Sequence, residues 1–207
     1  MKATLTLFLF VLIGTGSAIF SQTVTIGTQV WMTKNLDVAT FRNGDSIPHA
    51  KTDEEWEKAG ENGQPAWCYY DNDPANGEKY GKLYNWFAVN DPRGLVPVGY
   101  HIPSDAEWTK LTDFLGGEEV AGTKMKSTSG WAENGNGTNS SAFSGLPGGN
   151  RDFNGTFSFI GKFGSWWSST EVNANLAWYR YLYYYNGSVY RVTSVKRSGF
   201  SVRCLRD

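Results

Sequence analysis

Three groups of side chains in this chain are of types that can do chemistry. Asp71, Asn72 and Asp73, with Glu78 following, are the densest set of oxygen donors. A calcium ion takes roughly six to eight oxygens, and this segment lacks the glycine and terminal glutamate spacing of an EF-hand loop. Asp71 and Asp73 are therefore metal candidates set against a solvated turn; Asp152 with Asn154 is a sparser pair. The two histidines, His49 and His101, lack zinc-ligand spacing. Cys68 and Cys204 are the two cysteines. In an exported chain such a pair implies one disulfide, which would tie down the final strand. On chain-entropy grounds a loop of about 136 residues closed in this way contributes about 5 kcal/mol. The third group is aromatic. Alternation along Trp178–Tyr185 puts Tyr179, Tyr181, Tyr183 and Tyr185 on one strand face, and Trp178, Arg180, Leu182 and Tyr184 on the other. Tyrosine joins an apolar ring to a polar tip, which suits sugar stacking or protein contact, with an ordinary packed sheet as the competing reading. Trp166 and Trp167 face opposite ways, and Trp166 joins Tyr179, Tyr181 and Tyr183 as a ligand-binding candidate. The sequence has no Gly-x-Ser-x-Gly elbow and no phosphate loop, so neither a catalytic residue nor a cofactor is expected.

The elements that must position these groups begin after a targeting segment. Lys2, the apolar run Leu5–Ile13, and the small residues Gly14, Gly16, Ser17 and Ala18 read as a secretory signal peptide over residues 1–21, cleaved after Ser21 or Ala18. The run is too short for a membrane helix, and no later stretch is apolar enough. Residues 22–207 suit one domain that is secreted or displayed at the cell surface. The net charge is −1 with both signs interspersed, which argues against a nucleic-acid partner. With 24 glycines and 15% aromatic residues, the composition indicates a strand-rich, loop-rich domain with a substantial core.

Along the chain, Thr23–Trp31 reads as a hairpin around Gly27-Thr28, and Thr52–Gly60 as a helix with a Thr52/Glu55 capping box. Ala66–Tyr70 is strand-like, and Asp71–Glu78 is turn chemistry throughout. Leu83, Trp86 and Phe87 have helical spacing, so Lys82–Val89 reads as a buried helix. Ser104 and Glu107 form a second capping box ahead of Trp108, Leu111 and Leu115, and Gly116-Gly117 ends that helix. Both helices are expected to share one core. Thr128–Gly164 is loop-rich, Asn186-Gly187 is a strong hairpin signal, and Phe200–Leu205 is the last strand. The fold class is α+β, with two main helices, small antiparallel sheets and long irregular loops.

The segments YGKLYNWFAV, GYHIPSDAEW, GLPGGNRD, WWSST and VRCLRD, in this order, resemble the Fibrobacter succinogenes major paralogous domain, over about Thr23 to Asp207. That family comprises exported bacterial domains, and the resemblance brings no activity with it. More distantly, PSDAEW and the ending VRCLRD are similar to segments of the formylglycine-generating enzyme domain, which implies a C-type-lectin-like fold. The copper-assisted oxidation of that enzyme is built on two cysteines in the C-terminal half, where this chain has only Cys204. The Glu-Pro-Asn and Trp-Asn-Asp signatures of calcium-dependent lectins are also absent from the sequence. Asp45-Ser46-Ile47 resembles the O-glycosylation tripeptide of exported Bacteroidetes proteins, which marks Ser46.

The expected function is that of an exported, non-catalytic binding domain for a polysaccharide or a cell-surface protein. The alternatives are a structural component of a cell-surface assembly and an enzyme acting on surface glycans. Any ligand is expected on the Thr128–Gly164 loops and the exposed hairpin tyrosines, because rigid scaffolds carry recognition on loops.

Overall fold

The computed structural model describes residues 22–207, so the signal-peptide reading of residues 1–21 lies outside the described residues. The opening hairpin pairs β1 (Thr23–Ile26) with β2 (Gln29–Met32), and Gly27 supplies the positive φ of its turn. There follow α1 (Asp53–Glu61), β3 (Trp67–Cys68), α2 (Pro74–Tyr80), β4 (Leu83–Tyr84), α3 (Trp86–Val89), β5 (Tyr100–His101), α4 (Asp105–Phe114) and α5 (Glu118–Met125). The second half adds β6 (Asn150–Arg151), β7 (Phe157–Ser158), β8 (Phe163–Glu171), β9 (Leu176–Tyr183), β10 (Val189–Val195) and β11 (Leu205–Arg206). The class is α+β with small antiparallel sheets, ordered β1-β2-β11-β5, β10-β9-β8, β3-β4 and β6-β7. No described helix is long and apolar enough to cross a membrane.

Both capping boxes form. Thr52 and Ser104 each accept from the amide three residues on, while Glu55 and Glu107 return to the cap amides. The segment Lys82–Val89 is only half helix, because β4 occupies its start. Tyr84 N donates to Phe200 O, and the Tyr84 hydroxyl bonds both Val38 N and Val38 O. Asn85 then caps the helix, its Oδ1 accepting from Ala88 N and also from Ala66 N, so α3 starts late. Leu83, Trp86 and Phe87 consequently do not join the core of α4. Trp108, Leu111 and Leu115 pack with Trp31, Phe143 and Trp166; Trp86 lies in a second cluster and Leu83 in a third, and Phe87 is half-buried. Two further helices form, one within the turn-like Asp71–Glu78 segment and one after Gly117. Pro74 at the first helical position and Asp73 as cap start α2, and Glu118 restarts the chain as α5 directly after Gly117.

The disulfide is not formed. Cys68 and Cys204 are buried free thiols, and burial pushes each up to about 12. Sheet geometry gives the reason. Trp67 pairs with Tyr84 on one side of β4, and Tyr84 bridges to Phe200 on the other. Strands on opposite sides of a third lie about 9.6 Å apart, beyond the roughly 7 Å that a disulfide spans between Cα atoms. The final segment is held by pairing instead: Leu205 lies opposite both Trp31 and His101.

His101 latches this sheet to α4. Its Nδ1 is 2.8 Å from Asp207 Oδ1 and its Nε2 is 2.9 Å from Glu107 Oε1. Burial lowers the imidazole pKa, but the hydrogen bonds to Asp207 and Glu107 outweigh it and the pKa is raised. Protonated histidine donates from both nitrogens, as two carboxylate partners require. A raised folded-state pKa stabilises fully below the unfolded value of about 6.5, and the contribution disappears as pH rises through the folded value. His101→Gln is therefore expected to lower the melting temperature at acidic pH and to change it little at alkaline pH. An equal loss at both ends of the range would refute the latch.

Candidate ligand-binding face

The three-stranded sheet β10-β9-β8 has two unlike faces. One lies under α4 and α5 and carries Trp166, Arg180, Leu182 and Val189. Arg180 donates to Asp105 Oδ1 at 2.7 Å and to Thr109 Oγ1 at 3.0 Å, and Arg191 grips the same Asp105 carboxylate. Burial raises the Asp105 pKa, but the hydrogen bonds from Arg191 and Arg180 more than reverse this and hold the carboxyl below its ordinary value. Trp166 is 1% exposed, with its Nε1 donating 2.8 Å to Asn35 Oδ1. It is a core residue and cannot touch a ligand, which corrects its reading as a binding residue. The reason is register: Trp166 lies opposite Arg180, on the helix-covered side.

The opposite face carries the tyrosines. Trp167 pairs with Tyr179, Ser165 with Tyr181 and Phe163 with Tyr183 across β8–β9, and Tyr190 pairs with Tyr181 across β9–β10. Tyr179 is drawn into the core by Phe200, at 4.4 Å between centroids, and by Trp167, at 6.1 Å. Burial pushes its phenol up to about 12. Beyond Tyr179 the row emerges toward solvent. Tyr181 and Tyr190 stack at 4.5 Å and 8°, Phe163 and Tyr183 at 4.7 Å and 21°, and Phe159 packs on Phe163 at 4.7 Å. Asn186 Nδ2 donates to the Tyr190 hydroxyl at 2.7 Å. Burial also raises the Tyr181 pKa, so both phenols stay protonated and able to donate near neutral pH. Because these rings cover one another's faces, the row offers mainly edges and hydroxyls, with free ring faces at its ends.

Two features fix the exposed end of the row. Phe159 is 51% exposed and holds φ 68°, a left-handed backbone that costs a bulky residue about 1–2 kcal/mol. Its carbonyl accepts from Lys162 N and Phe163 N, which stabilise that turn. The hairpin tip is wider than two residues, since the last β9–β10 pair is Leu182 with Val189. Lys126, itself buried, fills the tip: its Nζ donates to the carbonyls of Tyr183, Tyr184 and Asn186. Gly135 packs so closely that a Cβ would come within 2.1 Å of Tyr184 O. The Thr128–Gly164 loops and the hairpin thus form one surface, and Tyr181 and Tyr183 remain partly accessible on it.

The other sequence candidates have local duties. Asp73 Oδ1 caps α2 by accepting from Ala75 N at 2.9 Å, and Asp71 occupies an exposed turn at φ 54°. Among the described residues no three His, Cys, Asp or Glu side chains cluster at metal-binding separation. Ser46 is exposed beside buried Ile47. Sequence reasoning missed Asn35, Phe159 and Arg203. Asn35 and Arg203 act through long-range contacts, but Phe159 lies inside the glycine-punctuated Phe143–Phe163 segment, where the recurrence of Phe153, Phe157, Phe159 and Phe163 was a usable signal.

The chain is thus an α+β domain with short antiparallel sheets, a long loop region and one aromatic sheet face. The sequence profile of the Fibrobacter succinogenes major domain matches residues 24–206, and the chain belongs to that family. No curated protein matches the chain.

Proposed function

We propose that the protein is an exported, non-catalytic binding domain with a C-type-lectin-like fold, and that its ligand is a polysaccharide lying along the row from Phe159 to Tyr190. The observation carrying this reading is that exposed Phe159 is held in a strained backbone at the end of a continuous aromatic row. Strain of that kind persists where surrounding structure over-determines it, and it concentrates at binding sites. Tyrosine-rich surfaces combine contact area with hydrogen bonding at low entropic cost. The lectin-like topology is favoured by the central place of β11 beside the opening hairpin and by the long loop region between α5 and β8. Export rests on the reading of residues 1–21, and the exposed Ser46 hydroxyl is open to O-glycosylation in that compartment.

A glycan array identifies the ligand, and two variants locate its site. Phe159→Gly relieves the left-handed strain, so it is expected to keep or raise the melting temperature while weakening binding about tenfold, as loss of a hot-spot ring does. Tyr183→Ala is expected to weaken binding by a similar factor. Wild-type affinity in both folded variants would place the site elsewhere. An empty array together with recovery of one outer-surface protein by pull-down would make the ligand a protein. The export reading is checked separately by N-terminal sequencing of the secreted material, which should begin at Gln22 or Ile19.

A further inference from the structure

Three arginines are buried in this domain, and one of them lacks a counter-charge. Arg151 pairs with Asp53 and Arg180 with Asp105. Arg203 is 1% exposed and no carboxylate among the described residues reaches it. Residues 1–21 contain no Asp or Glu that could serve. Its Nε and one Nη2 proton go to Asn35 Oδ1 at 3.1 and 2.9 Å, and its Nη1 protons go to the carbonyls of Met32 and Phe143. Guanidinium has five N–H donors, so one on Nη2 has no acceptor among the described residues. The neighbouring Cys204 thiol is held neutral by its burial and supplies no negative charge. A buried cation without a partner is costly, and its environment favours whatever neutralises it.

Arg203 lines a pocket of about 400 Å³, together with Lys34, Asn35, Lys79, Tyr80 and Leu146. Asp37 also borders the pocket but is paired with Lys82. Glu78 is the one remaining acid in the wall, against Lys34, Lys79 and Arg203. The balance is positive, and Tyr80 and Leu146 give an apolar side. Guanidinium binds carboxylate and phosphate alike, but the single free N–H with Glu78 nearby disfavours a doubly charged group and so favours a carboxylate.

We propose that this pocket binds the carboxylate of a small organic acid, with Arg203 as its buried anchor and Lys34 and Lys79 at its rim. The site is separate in composition from the aromatic row and does not depend on the polysaccharide reading. The test is an NMR titration following the Trp166 indole N–H, which shares the Asn35 Oδ1 acceptor with Arg203. The probes are galacturonate, lactate and benzoate, each against its uncharged counterpart (galactose, lactamide, benzamide), with inorganic phosphate as a further arm. At least one carboxylate should give a saturable shift with Kd about 1 mM or below, and its uncharged counterpart none. Lys34→Gln with Lys79→Gln, both exposed and expected to fold normally, should weaken it by about tenfold, and added salt should weaken it too. No saturable shift with any of the three acids overturns the proposal. So does equal binding of the uncharged counterparts, binding of phosphate alone, or full affinity in the double variant.

Discussion

Trp108→Ala is expected to cost about 3–5 kcal/mol of unfolding free energy, measured by chemical denaturation, as expected for an aromatic residue removed from a core. Trp108 is fully buried where α4 meets the β1-β2-β11-β5 sheet. Its ring lies 4.8 Å from Trp31, 5.9 Å from Phe143 and 6.4 Å from Trp166, so one truncation removes a shared neighbour from three other rings. A second variant separates volume from polarity. The Trp108 Nε1 proton is buried without an acceptor, as is that of Trp31. Trp108→Phe removes this unsatisfied donor along with part of the volume, and should cost much less than Trp108→Ala. A loss under about 1 kcal/mol for the alanine variant would show that the site collapses around the gap. Equal losses for Phe and Ala would overturn this account, because the cost would then not follow the volume removed.

Asn35→Ala is the other change with a large expected effect, about 3–5 kcal/mol, because it removes two hydrogen bonds to a charged group at about 1.5–3 kcal/mol each. Asn35 Oδ1 accepts from Trp166 Nε1 and twice from Arg203, while Nδ2 donates to Tyr80 O at 2.8 Å and Ser201 Oγ at 3.2 Å. Three donors converging on one oxygen also fix the orientation of the amide. Alanine leaves Arg203 with two fewer hydrogen bonds. Asn35→Asp keeps an acceptor and adds the negative charge that Arg203 lacks, so it should lose less stability than Asn35→Ala. The same variant should also abolish carboxylate binding, because the anchor is then neutralised from within. If Asn35→Asp is the less stable of the two, the guanidinium is satisfied by neutral acceptors and the charge argument fails.

Local chemistry was legible in the sequence wherever it acted over a few residues. Both capping boxes and the Gly27 turn follow from side chains and spacing close by in the chain, whereas the last strand, expected over Phe200–Leu205, is confined to Leu205–Arg206 and pairs with distant partners. Lys82–Val89 misleads for a physical reason: Leu83, Trp86 and Phe87 fit a helical period, but Asn85 caps and Tyr84 pairs with Phe200, more than a hundred residues on. The cysteine pair misleads similarly, since composition counts thiols and only topology shows that a strand lies between their segments. The aromatic row was half legible. Alternation grouped Tyr179, Tyr181 and Tyr183 correctly, yet it could not show that Tyr179 is pulled into the core by Phe200 or that Trp166 faces the helices. Asn35 and Arg203 are invisible to periodicity, because their partners are brought together only by the finished fold.

The place of β11, between β2 and β5, sets a timetable for folding. Its residues 205–206 pair with strands that precede them by more than a hundred positions. A nascent chain that stops short of Leu205 has no filled centre for that sheet, and the cluster containing Trp31 and Trp108 lacks Leu205. Contacts of such long sequence separation form late and slowly. Synthesis through Leu205 therefore precedes closure of the domain.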